Sequence, residues 1–105
     1  MGITKTEKFT TRQNEIAQLA KVLGHPARIA ILEELLKLNS CYCGGLTASL
    51  GLAQATISQH LKELKNVGLI KGDIEGTSVC YCINMEKWSI VSELFQNFFQ
   101  NTVVR

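Results

Sequence analysis

Cys41-Tyr42-Cys43 and Cys80-Tyr81-Cys82 repeat one tripeptide at two distant points and hold all four cysteines of the chain. Residues two apart on a strand point to one face, so each tripeptide presents two thiols side by side. Four thiolates suit Zn²⁺ or Cd²⁺, and three suit a trivalent metalloid, As(III) or Sb(III). The same side chains can pack as small hydrophobes, or switch between thiol and disulfide. Zinc ribbons usually leave two residues between paired cysteines, so single-residue spacing is a weak zinc signature. Packing, soft-ion binding and disulfide switching all stand at this level. No other cluster offers chemistry. The two histidines lie far from the cysteines, and no glycine-rich phosphate loop is present. The chain is expected not to be an enzyme.

The elements that must position these thiols fit one small domain. A chain of 105 residues, 46% hydrophobic, can bury a modest core, and pairing with a second copy would add to its stability. The net charge of +2 is too small to name a partner. No apolar run approaches the roughly 20 residues of a membrane span, so no membrane partner is expected. The first residues, MGITKTEKFTTRQNE, contain no apolar signal core, which predicts a cytoplasmic protein with reduced thiols. Residues 1–10 read as a flexible tail and 11–105 as the folded domain.

Along the chain, Ile16, Leu19, Ala20 and Leu23 recur at helical spacing, with Thr11 as cap and Gly24 as stop. A second helix opens at Pro26 and points Ile29, Leu32, Leu35 and Leu36 inward. The first Cys-Tyr-Cys is too short for a helix and reads as a strand, broken by Gly44-Gly45. LTASL is a short helix, and QATISQHLKELKNV is a longer one that buries Ile57, Leu61 and Leu64 and ends at Gly68. LIKGDIEGTSVCYCIN reads as a β-hairpin turning at Glu75-Gly76. Asn84 caps a last helix whose Trp88, Val91, Leu94, Phe95, Phe98 and Phe99 cover a wide apolar face.

A short helix, a turn at Gly51 and a second helix followed by a hairpin form a winged helix-turn-helix pattern, mainly α with a small β-wing. Leu46, Leu50, Leu52, Ile57 and Leu61 would hold the helices together. Gln54, Ala55, Thr56, Ser58 and Gln59 are then left on the outer first turns of the second helix. Glutamine can bond the adenine edge, serine and threonine reach bases or phosphates, and alanine meets a thymine methyl. Lys62, Lys65 and Lys71 are the expected phosphate contacts, the last near the wing base. The plainer reading is a solvated helix face. His60, beside the Ile57/Leu61 stripe, reads as a half-buried, hydrogen-bonded ring.

On these residues the chain resembles the ArsR/SmtB family of bacterial winged-helix repressors. The resemblance runs over about residues 15–99 and is strongest in GHPARIAIL, ATISQHLKELKNVGLI and EGTSVCYCIN. It implies a homodimer on a duplex DNA operator, released when a metal or metalloid inducer binds. Members usually have Ser or Thr at the reader-helix cap, where this chain has Ala53, and Arg at the wing tip, where it has Asp73-Ile74-Glu75-Gly76-Thr77. An acidic wing adds little affinity for phosphate. The last helix lacks the histidine of zinc-sensing members. Arsenic-sensing members carry Cys-Val-Cys-Asp-Leu-Cys ahead of the first reader-unit helix. Aligned without gaps, Cys41 and Cys43 fall one residue off that pair and Thr47 replaces the third cysteine; a gap at Gly44-Gly45 restores the pair.

In a winged helix, the strand before the helix-turn-helix commonly pairs with the second hairpin strand, which would set Cys41 and Cys43 beside Cys80 and Cys82. The aromatic surface of the last helix exceeds what so small a domain covers, so a dimer through Ile16, Leu19, Leu94, Phe95 and Phe98 is expected. The rival reading is a winged-helix protein-interaction module with structural cysteines and no inducer.

Overall fold

Thr10 starts the first helix, one residue before the expected Thr11. The computed structural model describes residues 8–38, 41–43, 50–74 and 79–100, and in it Thr10 caps α1 (Thr11–Leu23). The Thr10 hydroxyl accepts from the Gln13 N–H at 3.0 Å, and the Gln13 side chain accepts from the Thr10 N–H at 3.0 Å. This closed capping box ties Thr10 to α1; residues 1–7 of the expected tail lie outside the described residues. Leu19 and Val22 are the buried positions, while Ala20, expected inside, is exposed.

His25 caps α2 (Pro26–Leu38), its Nδ1 accepting from the Ala27 N–H at 3.1 Å. Ile31, Leu32 and Leu35 are buried; Ile29 and Leu36, expected inside, are each 40% exposed. Apolar residues lie nearly all round this helix, so periodicity alone allows more than one inward stripe. Contacts with the reader helix and the sheet select the one through Ile31 and Leu35.

Three antiparallel strands follow: β1 (Tyr42–Cys43), β2 (Ile70–Asp73) and β3 (Cys80–Ile83), in the order β1-β3-β2. The first strand does pair with the second hairpin strand, in the register Tyr42↔Tyr81 and Cys43↔Cys80. On the other side, Ile70 faces Ile83 and Lys71 faces Cys82. Gly72 has φ 112°, and an added Cβ there would collide with the Cys80 carbonyl and lie 2.9 Å from the Tyr81 Cα. The expected helix over 46–50, apart from Leu50, and the turn at Glu75-Gly76 lie outside the described residues.

Between β1 and β2 stands α3 (Gln54–Asn66), burying Ile57, His60, Leu61 and Leu64. It closes in a Schellman arrangement: the Gly68 N–H bonds the Lys65 carbonyl at 2.9 Å and the Leu69 N–H the Leu64 carbonyl at 3.1 Å. Gly68 takes φ 83°, a left-handed geometry that glycine adopts without penalty. The chain then turns directly into β2. Asn84 caps α4 (Met85–Gln100), its Oδ1 accepting from the Lys87 N–H at 3.3 Å. Val91 is buried, and Trp88, Leu94 and Phe95 pack partly against the core. One cluster joins α1, α2, α3, the inner sheet face and α4.

Candidate nucleic-acid interface and thiol cluster

The buried stripe of α3 fixes which side chains it can offer. With Ile57, Leu61 and Leu64 turned inward, Gln54, Ala55, Thr56, Gln59, Lys62 and Lys65 are exposed, and Ser58 is half-exposed. Ala53 caps the helix without any side-chain hydrogen bond, as its lack of a polar group requires. Gln54 Nε2 donates to Ser58 Oγ at 3.2 Å, so two of the expected base-contacting residues bond each other one turn apart. Lys65 Nζ donates to the Gly72 carbonyl at 2.6 Å and ties the end of α3 to the wing base.

Lys71 lies elsewhere. Its neighbours Ile70 and Tyr81 belong to the core face that α3 packs on, so Lys71 and its partner Cys82 stand on the opposite face. Lys71 lines a cavity together with Cys41 and Cys82, away from the reader helix, and strand alternation is the physical reason.

His60 is buried at 7% exposure and locks the inner side of α3 to the α1–α2 corner. Arg28 Nε donates to His60 Nδ1 at 3.1 Å, while Arg28 Nη1 donates to the Val22 carbonyl at 3.1 Å. The His25 ring lies 4.3 Å from the His60 ring. Burial holds the His60 pKa below the ordinary histidine value, and His25 and Arg28 lower it further against a smaller opposing pull from Glu63. The expected hydrogen-bonded ring is present. Its partner is 32 residues away, beyond the reach of local periodicity.

On the outer sheet face the cysteines meet as two cross-strand rungs. Cys43 and Cys80 are joined in a disulfide, with their Cα atoms 4.1 Å apart. The expectation of four reduced thiols therefore does not hold here. Cys41 is free and exposed; Cys82 is free and half-buried. Hydrogen bonding with the Cys41 thiol raises the Cys82 pKa most, followed by burial and the Cys41 charge, while Lys71 pulls the other way. Among the described residues, no three His, Cys, Asp or Glu side chains are grouped to hold a metal ion. With one rung bonded, two thiols remain, short of the three or four that a metalloid or zinc takes. The donor set as bonded does not fit a soft ion.

Between the cysteines, Tyr42 and Tyr81 face each other with ring centroids 6.0 Å apart. Tyr81 is 1% exposed, and burial, then Tyr42, pushes its pKa up to about 12. Its hydroxyl finds no hydrogen-bond partner among the described residues.

The five expected interface residues divide. Leu19 is 3% exposed within its own protomer, so it has little surface left to offer. Ile16, Leu94 and Phe95 are half-buried, and Phe98 is exposed. Phe99, outside the expected interface set, is 65% exposed, stacked on Phe95 at 6.3 Å and edge-on to Phe98 at 5.2 Å. The width of the apolar face was its signal in the sequence.

A family model described as "Bacterial regulatory protein, arsR family" matches residues 25–71. The HTH-type transcriptional regulator CmtR of Mycobacterium tuberculosis is 39% identical over 72 residues, covering 69% of this chain and 60% of CmtR. The chain thus spans less than two thirds of that relative's length. The transcriptional repressor PagR of Bacillus anthracis is 34% identical over 71 residues, covering 68% of this chain and 71% of PagR. Among solved structures, M. tuberculosis Rv0081 superposes with a TM-score of 0.61 at 25% identity, covering 91% of this chain and all of that one. The fold, mainly helical with a small three-stranded sheet, is a winged helix-turn-helix.

Proposed function

The chain belongs to the arsR family of bacterial regulatory proteins, and we propose that it is a cytoplasmic homodimeric repressor that binds a palindromic duplex operator through α3. The observation that carries this reading is the outer face of α3, where Gln54, Ala55, Thr56 and Gln59 are exposed and Ser58 half-exposed over the first two turns. A helix with small and amide-bearing residues there can lie deep in a major groove and read base edges. Lys62 contributes charge toward the backbone, and Lys65 holds the wing base against the reader helix. Asp73, exposed at the end of β2, gives the wing little attraction for phosphate.

Two protomers pairing through α1 and α4 would set their α3 helices about one helical turn of DNA apart. What supports the pairing is the Phe95, Phe98 and Phe99 cluster at the outer end of α4. Titration against mixed-sequence duplex DNA at several salt concentrations tests the function. Affinity that falls steeply with salt is expected; no binding at low salt would favour the rival protein-interaction module.

Release by a soft metal or metalloid is a second reading, favoured by the gathering of all four sulfurs on one sheet face. It requires the Cys43–Cys80 bond to be reduced first. Cd²⁺ or arsenite titrated into fully reduced protein should then produce thiolate–metal absorbance, and an unchanged spectrum would end this reading.

A further inference from the structure

In an antiparallel pair, directly opposed residues alternate between hydrogen-bonded and closer non-hydrogen-bonded sites, the latter about 4.5 Å apart at Cα. Cys43 and Cys80, at 4.1 Å, occupy a close site and are bonded. Tyr42 and Tyr81 fill the next rung. Cys41 immediately precedes β1, and continuing the register by one residue sets it opposite Cys82, with which its thiol interacts; by the alternation that position would be a close site again. The two cysteine pairs therefore lie two residues apart along the same strand pair and differ in that one is bonded.

Access differs too. Cys41 is exposed, whereas Cys82 is half-buried beside a cavity of about 240 Å³ lined by Leu35, Leu36, Ile83 and Met85. Lys71, opposite Cys82 in the register, lines the same cavity, and its charge offsets part of the upward pull of Cys41 and burial on the Cys82 thiol.

We propose that Cys41 and Cys82 form a thiol–disulfide exchange site that takes low-molecular-weight disulfides. The Cys41 thiolate attacks one sulfur of the small disulfide; that S–S bond breaks, and a thiolate leaves and takes up the proton Cys41 lost. The Cys82 thiolate then attacks Cys41 Sγ in the mixed disulfide and expels the second small thiolate, which is protonated in turn. The protein dithiol is oxidised by two electrons, and one small disulfide is reduced to two thiols. Cys43–Cys80 serves as the fixed rung that holds the second pair in register. Closing the second rung clamps β1 to β3 at two points. β1 leads toward α3 and β3 is half of the wing, so the redox state bears on the reader unit. That consequence alone rests on the repressor reading.

The experiment treats wild-type protein, with Cys43–Cys80 intact, with excess oxidised glutathione, followed by N-ethylmaleimide and intact-mass measurement. Untreated protein should take two maleimides. Treated protein should take none and retain no glutathione, having lost two hydrogens. Cys82→Ser should stop at one stable glutathione adduct on Cys41. A persistent adduct on the wild type, two thiols still alkylated, or a disulfide-linked pair of chains would overturn the proposal. DNA titration of both wild-type forms is read separately: if neither form binds DNA, the repressor reading fails while the thiol result stands on its own.

Discussion

Replacing Gln59 with alanine should relax base preference more than the same change at Gln54. Each bidentate glutamine–adenine contact contributes about 1–3 kcal/mol of discrimination. A dimer carries the substitution twice, so Gln59→Ala should narrow the gap between operator and scrambled DNA by about 2–6 kcal/mol, at tenfold per 1.4 kcal/mol. Gln54 starts from a different state. Its Nε2 donates to Ser58 Oγ at 3.2 Å and must release that bond to reach a base, whereas Gln59 carries no such bond among the described residues. An intramolecular hydrogen bond contributes about 0.5–1.5 kcal/mol net, at the low end when exposed, and the Gln54→Ala loss should be smaller by that amount per protomer. Lys62→Ala should weaken all sequences alike and reduce the salt slope by about 0.9 for each phosphate that is no longer neutralised. Competition titrations with single-base variants of a selected half-site, at three or more salt concentrations, separate these effects. If Lys62→Ala re-ranked the sequences while both glutamine variants left the ranking intact, the helix would face the DNA on another side.

Three further outcomes are expected. Wild type is expected to be dimeric at micromolar concentration in sedimentation, and Leu94→Glu combined with Phe98→Glu to give monomer or aggregate; a folded, monomeric wild type would refute the interface. Tyr81→Phe removes a buried hydroxyl with no partner among the described residues, and thermal melts should show no loss and up to about 1–2 kcal/mol of gain, since an unpaired buried polar group costs about 1–3 kcal/mol. His60 binds its proton less well in the folded state than in the unfolded one; stability is therefore full above about pH 6.5 and falls as pH drops below it, and a His60→Gln variant that melted with an unchanged pH slope would assign the effect elsewhere.

Patterns of short range carried furthest in the sequence. Ile57, Leu61 and Leu64 repeat at clean helical spacing between polar residues, and all three are buried. In α2 the expected Leu32 and Leu35 are buried, but Ile31 takes the inward place that spacing gave to Ile29 and Leu36. Thr10 and Thr11 are equally good caps by residue type; Gln13 decides for Thr10, because a capping box needs its partner three residues on. The Arg28–His60 contact joins two helices and leaves no periodic trace. The bond between Cys43 and Cys80 was open to the sequence as one of three chemistries, and register alone could separate them.

Parity along β2 and β3 links the two candidate sites. Ile70 and Gly72 face Ile83 and Tyr81 on the core side, where the sheet meets α3. Lys71 and Asp73 face Cys82 and Cys80 on the outer side. A strand side chain cannot serve both faces, so Lys71, expected from the sequence among the phosphate contacts, lies on the thiol face by the same alternation that buries Ile70. The reader helix thus packs on the core side of β2, and the β3 cysteines lie on the outer side of the same sheet. Any chemistry that changes how β1 is held against β3 acts on the strand that pairs with β2, the one the reader helix packs on. Tyr81, between Cys80 and Cys82, is buried in the same core cluster as Ile57 and Leu61.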